Sequence, residues 1–199
     1  VGGRIVRKAS AEVEIAAQLE SIRDTGYPVC LEFGAGQDAG PQHPLGRIRP
    51  HLTDDGILLE SKSDYAWLPQ YDAEFKQRVK SLVKKYGYPK GPVNAVKLWN
   101  EPWNGISISG WGADDIRYRE IFTALCEGVD EALAEDPSLR VLIGGCDSSS
   151  NTFDKLFPDD DRHFLKWLDF LSIHYQGLSP SNPRFLRDRT GKKGRTLFW

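Results

Sequence analysis

Methionine is absent from all 199 residues, position 1 included. The chain is therefore expected to be a processed form or an internal piece of something longer. Cysteine is scarce: Cys30, Cys126 and Cys146 cannot all pair within one chain, and their spacing fits no zinc site. We read them as buried thiols, which leaves the redox compartment open. No apolar run approaches the ~20 residues of a membrane span, and no charged-then-apolar leader opens the chain. If the full-length chain carries a signal peptide, a secreted or periplasmic location is expected rather than a cytoplasmic one. An excess of positive charge is also missing. With a formal net charge of -2 there is no electrostatic reason to expect nucleic acid or an anionic membrane as partner. The basic stretch "RDRTGKKGR" reads as a solvated loop.

Cofactor signatures are lacking too. The glycines of "FGAGQDAG" have the wrong spacing for a dinucleotide fingerprint, and no helical pattern follows them. His43, His51, His163 and His174 have no ligand spacing, and "PDDDR" at 158–162 reads as a solvated loop rather than a calcium site. No cofactor and no metal are expected. No repeat occurs at a solenoid period.

What is present describes one domain with a core: 40% hydrophobic and 27% charged residues, in a chain somewhat shorter than the ~250 residues usual for an α/β barrel. Apolar spacing predicts three helices. One runs from about Ser10, as N-cap, through Val13, Ala16, Leu19 and Ile22 to Gly26. A second follows Asp72, with Phe75, Val79, Leu82, Val83 and Tyr86 on one face. A third follows "GADD", with Ile116, Ile121, Phe122, Leu125, Val129 and Leu133 on one stripe, and stops before Pro137. A shorter helix is expected to include Phe164, Leu165 and Leu168.

Between these lie apolar runs at 29–33, 94–99, 140–145, 169–175 and 195–199. They are almost continuously apolar, as strands buried on both faces should be. "RIV" at 4–6 could end an earlier strand. The order strand–helix–strand–helix–strand predicts a parallel α/β sheet with right-handed crossovers. The segment Gly34–Tyr71, rich in Gly, Pro, His and Asp, is too long for a plain connection. It follows a strand's C-terminal end, where parallel folds place binding sites. The 176–194 stretch shows no clear helical period.

The most informative stretch is "KLWNEPWNG", 97–105. Asn100 and Glu101 stand where an apolar strand stops. A carboxylate at the mouth of a parallel barrel is desolvated, which raises its pKa toward the range of a general acid. Pro102 turns the chain outward, and Trp99 and Trp103 supply apolar faces of the kind sugar rings stack against. The competing reading is a plain helix or turn cap made by Asn100 and Glu101. Trp67, in "YAWLPQY", is either a further sugar platform or an indole at the edge of the core.

"LWNEPW" at a strand end resembles the acid/base strand of the clan A retaining glycoside hydrolases, which are (β/α)8 barrels. The resemblance extends further. "YGYPKGPVNAVKLWNEPW" is similar to that family's passage into the fourth strand, "VLIGGCDSSS" to the fifth, "DFLSIHYQG" to the sixth and "GRTLFW" to the start of the seventh. It covers about residues 72–199, with "VCLEFG" the third strand by order. The fold it implies is part of a TIM barrel, incomplete at both ends, with residues 1–199 forming one catalytic-domain fragment. The remaining part would be supplied on the same or another chain.

The resemblance implies that Glu101 is the general acid/base and that Asn100 hydrogen-bonds the 2-hydroxyl beside the scissile bond. It implies that His174 and Tyr175 line the site and orient the nucleophile. A satisfied core histidine and a packed rim aromatic are their competing readings. The family's nucleophile, a glutamate at the end of the seventh strand, would lie beyond Trp199. The expected substrate is an oligosaccharide or polysaccharide with β-linked O-glycosidic bonds. In the retaining mechanism one carboxylate attacks the anomeric carbon while the other protonates the leaving oxygen, the two standing ~5–5.5 Å apart. Two alternatives remain open. Glu32 or Asp147 could pair with Glu101 at the ~6.5–9.5 Å of an inverting enzyme, or the protein could bind carbohydrate on the same fold without catalysis.

Overall fold

The computed structural model describes residues 9–33, 45–47, 51–52, 58–59, 65–67, 69, 72–99, 115–148, 166–173 and 197–198. The elements in chain order are α1 (Ala9–Arg23), β1 (Val29–Phe33), β2 (Leu45–Arg47), β3 (His51–Leu52), β4 (Leu58–Leu59), β5 (Tyr65–Trp67), α2 (Asp72–Tyr86), β6 (Val93–Leu98), α3 (Asp115–Glu135), β7 (Leu142–Ser148), β8 (Phe170–Ile173) and β9 (Leu197–Phe198).

Five of the strands form one sheet in the order β1-β6-β7-β8-β9, and every pair in it is parallel. The order never reverses along the chain. Successive right-handed crossovers made in one direction put their helices on one face of a sheet. Accordingly α2 and α3 pack against each other more extensively than any other pair of elements. The chain is thus an α/β structure with parallel strands, and its sheet is singly wound, as an arc of a barrel would be.

The α2 stripe forms as its spacing predicts: Phe75, Val79, Val83 and Tyr86 are buried, and Leu82 packs against the core from its edge. On α3 the stripe residues Ile121, Phe122, Leu125 and Val129 are buried together with Tyr118, and Leu133 packs against the core from its edge, whereas Ile116 is 60% exposed. The stripe therefore does not start at Ile116, although its apolar side chain suggests that start. Counting back three and four residues from Ile121 and Phe122 leads to Tyr118 instead, and helical geometry rotates residue 116 to the outside. Gly128 lets α2 and α3 approach closely, since a Cβ there would stand 2.6 Å from the Lys76 carbonyl oxygen. Along the outer edge of this contact runs a ladder of lysines from α2 and glutamates from α3. Lys76 meets Glu127 and Glu131, Lys80 meets Glu131 and Glu135, and Lys84 meets Glu135. Four-residue spacing on both helices aligns the two rows.

Other expectations are corrected. α1 begins at Ala9, so Ser10 lies inside its first turn rather than capping it. Leu168 belongs to no helix. It follows a turn at 166–167 and is buried just before β8. There Asp169 bonds Ile143 through both its amide and its carboxylate, at 2.7 and 3.0 Å. β7 starts and ends later than 140–145. Cys126 is buried, but Cys30 is only half-buried; β1 lies at one end of the sheet among the described residues. The long 34–71 segment carries structure of its own: β2 pairs antiparallel with β5, and β3 with β4. Residues 4–6, Phe164, Leu165, the 176–194 stretch and the side chain of Cys146 lie outside the described residues.

Candidate functional site at the end of β6

In a parallel sheet all C-terminal strand ends fall on one side, and there ligands bind. β6 is an inner strand between β1 and β7, and its last residue is Leu98. Three features hold the chain where it leaves the strand. The Trp99 amide donates to the Phe33 carbonyl at 2.8 Å. The Tyr118 hydroxyl donates to the Leu98 carbonyl at 3.1 Å, with both groups buried. Trp99 itself is 1% exposed and takes a φ of 57°. That left-handed conformation costs an ordinary L-residue on the order of 1–2 kcal/mol, so burial of the indole and the bond to Phe33 must hold it there.

The burial corrects one expectation. Trp99 offers no face to a sugar, because its indole belongs to the core cluster that includes Phe33, Leu98 and Tyr118. Asn100, Glu101 and Trp103, which follow it, lie outside the described residues, as do His174 and Tyr175. The topology nevertheless relates their points of departure. β8 ends at Ile173, two strands from β6 in the sheet, a lateral separation of about 10 Å. Trp67 closes β5 opposite Leu45, and its side chain lies outside the described residues, as does that of Asp147 in β7.

Glu32 is described, and it is engaged. Its carboxylate lies 2.9 Å from the Lys97 ammonium, its register partner on β6. Phe33 and Leu98, the next pair, share the other face, where Phe33 meets Phe75 of α2 edge-on at 5.7 Å. The Glu32–Lys97 pair therefore occupies the sheet face turned away from α2. An inverting mechanism with Glu32 would have to draw on a carboxylate already bound by a cation.

Two groups near the strand ends went unread in the sequence. Tyr118 is one. The other is Arg117, 5% exposed, whose guanidinium takes Asp72, the first residue of α2, in a fork at 2.8 and 2.5 Å. It also reaches Glu120 at 2.8 Å. Burial by itself would lower its pKa, but the bonds to Asp72 and Glu120 outweigh that and raise it. The pair ties together the N-termini of α2 and α3, the points to which the 34–71 and 100–114 segments return. Only Asp72 carried a signal, as a helix start; nothing local marks its partner.

Among the described residues no three metal-ligating side chains converge, and no helix is long and apolar enough to cross a membrane. No family model matches the chain. No curated protein matches it either. Among solved structures it is similar to the crystal structure of a glucosidase from Croceicoccus marinus, at 17% identity and a TM-score of 0.49 over 90% of this chain and 34% of that one. The chain thus spans about a third of that glucosidase's length, and a likeness of this degree assigns no activity.

Proposed function

We propose that this chain supplies the acid/base half of a retaining glycoside hydrolase site built on a (β/α)8 barrel. The observation that carries the reading is the ending of β6. An inner strand of a singly wound parallel sheet stops at Leu98, and Asn-Glu-Pro begins two residues later, on the side where such sheets bind ligands. Glu101 protonates the leaving glycosidic oxygen and then deprotonates the attacking water. Asn100 donates to the sugar 2-hydroxyl, a bond that strengthens in the transition state. His174 and Tyr175, directly after β8, line the same pocket, and Trp103 and Trp67 stack on sugar rings of an oligosaccharide. The nucleophile is a glutamate past Trp199, after the strand that contains Leu197 and Phe198. The other strands of the barrel come from the same or another chain.

Replacing Glu101 by alanine in the full-length protein tests the reading. Natural glycosides should slow by several decades. Aryl glycosides with good leaving groups need no protonation and should lose far less in the first step. Added azide should restore turnover and give a β-glycosyl azide. Equal losses on both substrate classes without azide rescue would remove Glu101 from the role. Sugar binding with no hydrolysis by the unaltered protein would favour a non-catalytic carbohydrate-binding protein.

A further inference from the structure

The bond between Tyr118 and the Leu98 carbonyl does something that packing alone does not require. The Tyr118 ring is already fully buried and stacks on Phe122 at 6.2 Å with the planes 13° apart. A phenylalanine would fill that space. The hydroxyl instead extends from the first turn of α3 to the final carbonyl of β6, and it passes close enough to β7 that a Cβ on Gly145 would stand 3.4 Å from it. It reaches the chain one residue before the left-handed turn at Trp99. A residue in that sparsely populated conformation persists only when its surroundings over-determine it. Here the surroundings are two hydrogen bonds that pin one peptide group from both ends, Tyr118 to the Leu98 carbonyl and the Trp99 amide to Phe33, beside a buried indole.

We propose that Tyr118 is a positioning residue for the acid/base. By fixing the direction in which the chain leaves β6, it sets where Asn100 and Glu101 depart from the strand. The inference rests on the reading of Glu101 given above. Its physical basis is that general acid catalysis depends steeply on placement of the proton donor. A peptide turned in the left-handed region re-aims everything that follows it, and Leu98 and Trp99 are the last described residues before the carboxylate. Tyr118 touches no substrate in this scheme. Its hydroxyl acts through the backbone of Leu98 and Trp99.

The test uses the full-length protein and Tyr118→Phe, which keeps the ring and its stacking on Phe122. Thr123→Val serves as control. It deletes another α3 hydroxyl, whose partner is the Arg119 carbonyl at 2.8 Å on the same helix. Two readouts are needed. In hydrogen exchange, Tyr118→Phe should speed exchange of the Trp99 amide while the amides of α3 keep their protection. In kinetics, a series of aryl β-glycosides of decreasing leaving-group ability should show a selective loss. kcat/KM should fall about tenfold for the poorest leaving groups, the size expected from one lost hydrogen bond, and hardly at all for dinitrophenyl glycosides. Thr123→Val should change neither readout. Unchanged Trp99 exchange, or an equal loss across the series, would overturn the inference. Glu101→Ala run in parallel separates the two readings. If it shows the leaving-group dependence and Tyr118→Phe does not, Tyr118 has no positioning role. If Glu101→Ala shows none, the acid/base assignment itself fails.

Discussion

The Phe170 ring of β8 lies directly on the backbone of Gly144 in β7, its register partner. A Cβ built on that glycine would stand 2.1 Å from the ring's Cζ, and Phe170 is 2% exposed. The glycine is there because the ring needs the space above it.

Gly144→Ala should therefore destabilise the fold by about 1–3 kcal/mol, as overpacking of a full core does. Phe170→Leu frees space over residue 144. In a double-mutant cycle followed by urea unfolding, the two changes together should cost less than their sum. Strict additivity would mean that the ring and the glycine do not share this space.

The Arg117–Asp72 fork should behave as a buried pair whose loss leaves a charge behind. Removing Asp72 takes away both bonds of the fork from a buried guanidinium, and breaking such pairs costs about 3–5 kcal/mol. Asp72→Ala should fall at the low end of that range, since the aspartate side chain is 29% exposed and Glu120 remains as second partner. Arg117→Lys should not substitute, because a single ammonium cannot span both carboxylate oxygens. Chemical denaturation of the two variants checks both statements.

Acid should loosen the α2–α3 edge. Bonds from Lys80 and then Lys84 lower the Glu135 pKa from 4.5 to about 2. Those from Lys90 and then Ser138 lower that of Asp136 from 3.8 to about 2. Both folded values lie below the unfolded ones. The stabilisation is thus fully present above about pH 4.5 and is lost as pH falls toward 2. Glu135 is exposed, and Asp136, itself partly covered, pairs with an exposed lysine, so screening keeps the effect small. Thermal midpoints should drop across that window, and the drop should be shallower in a Lys80→Met, Lys84→Met variant. An identical pH profile in that variant would show that the ladder does not contribute.

Cys126 should be chemically silent in the folded protein. Burial pushes its thiol well above the ordinary range, and the nearby Asp130 carboxylate adds to the shift. Cys30 is only partly covered. Maleimide labelling with peptide mapping should modify Cys30 in native buffer and reach Cys126 only in denaturant. Labelling of Cys126 at the native rate of Cys30 would contradict the burial.

The helices and the parallel order could be read from the sequence because periodicity is a local property. Each stripe on α2 repeats within a few residues, and a strand buried on both faces shows its apolar run without reference to its neighbours. The error at Ile116 arose at a stripe's end: Ile116 stands five residues before Ile121, off the three- and four-residue steps that lead back from Ile121 and Phe122 to Tyr118. That a strand ends just before the Asn-Glu-Pro tripeptide was legible for a similar reason: the apolar run of β6 and the point where it stops are written contiguously.

Partnerships between distant segments were not legible. Glu32 reads as a spare carboxylate near a strand end until the β1–β6 register sets Lys97 beside it. Asp72 reads as a helix start until the alignment of α2 and α3 brings Arg117 to it. Trp99 shows the limit most directly. An indole at the end of a strand has the same local signature whether it faces a cleft or the core, because sequence periodicity ends where the strand does. Its direction was decided by tertiary contacts: the bond to Phe33 and burial in one cluster with Phe33, Leu98 and Tyr118 hold it in a left-handed turn that costs a free tryptophan about 1–2 kcal/mol.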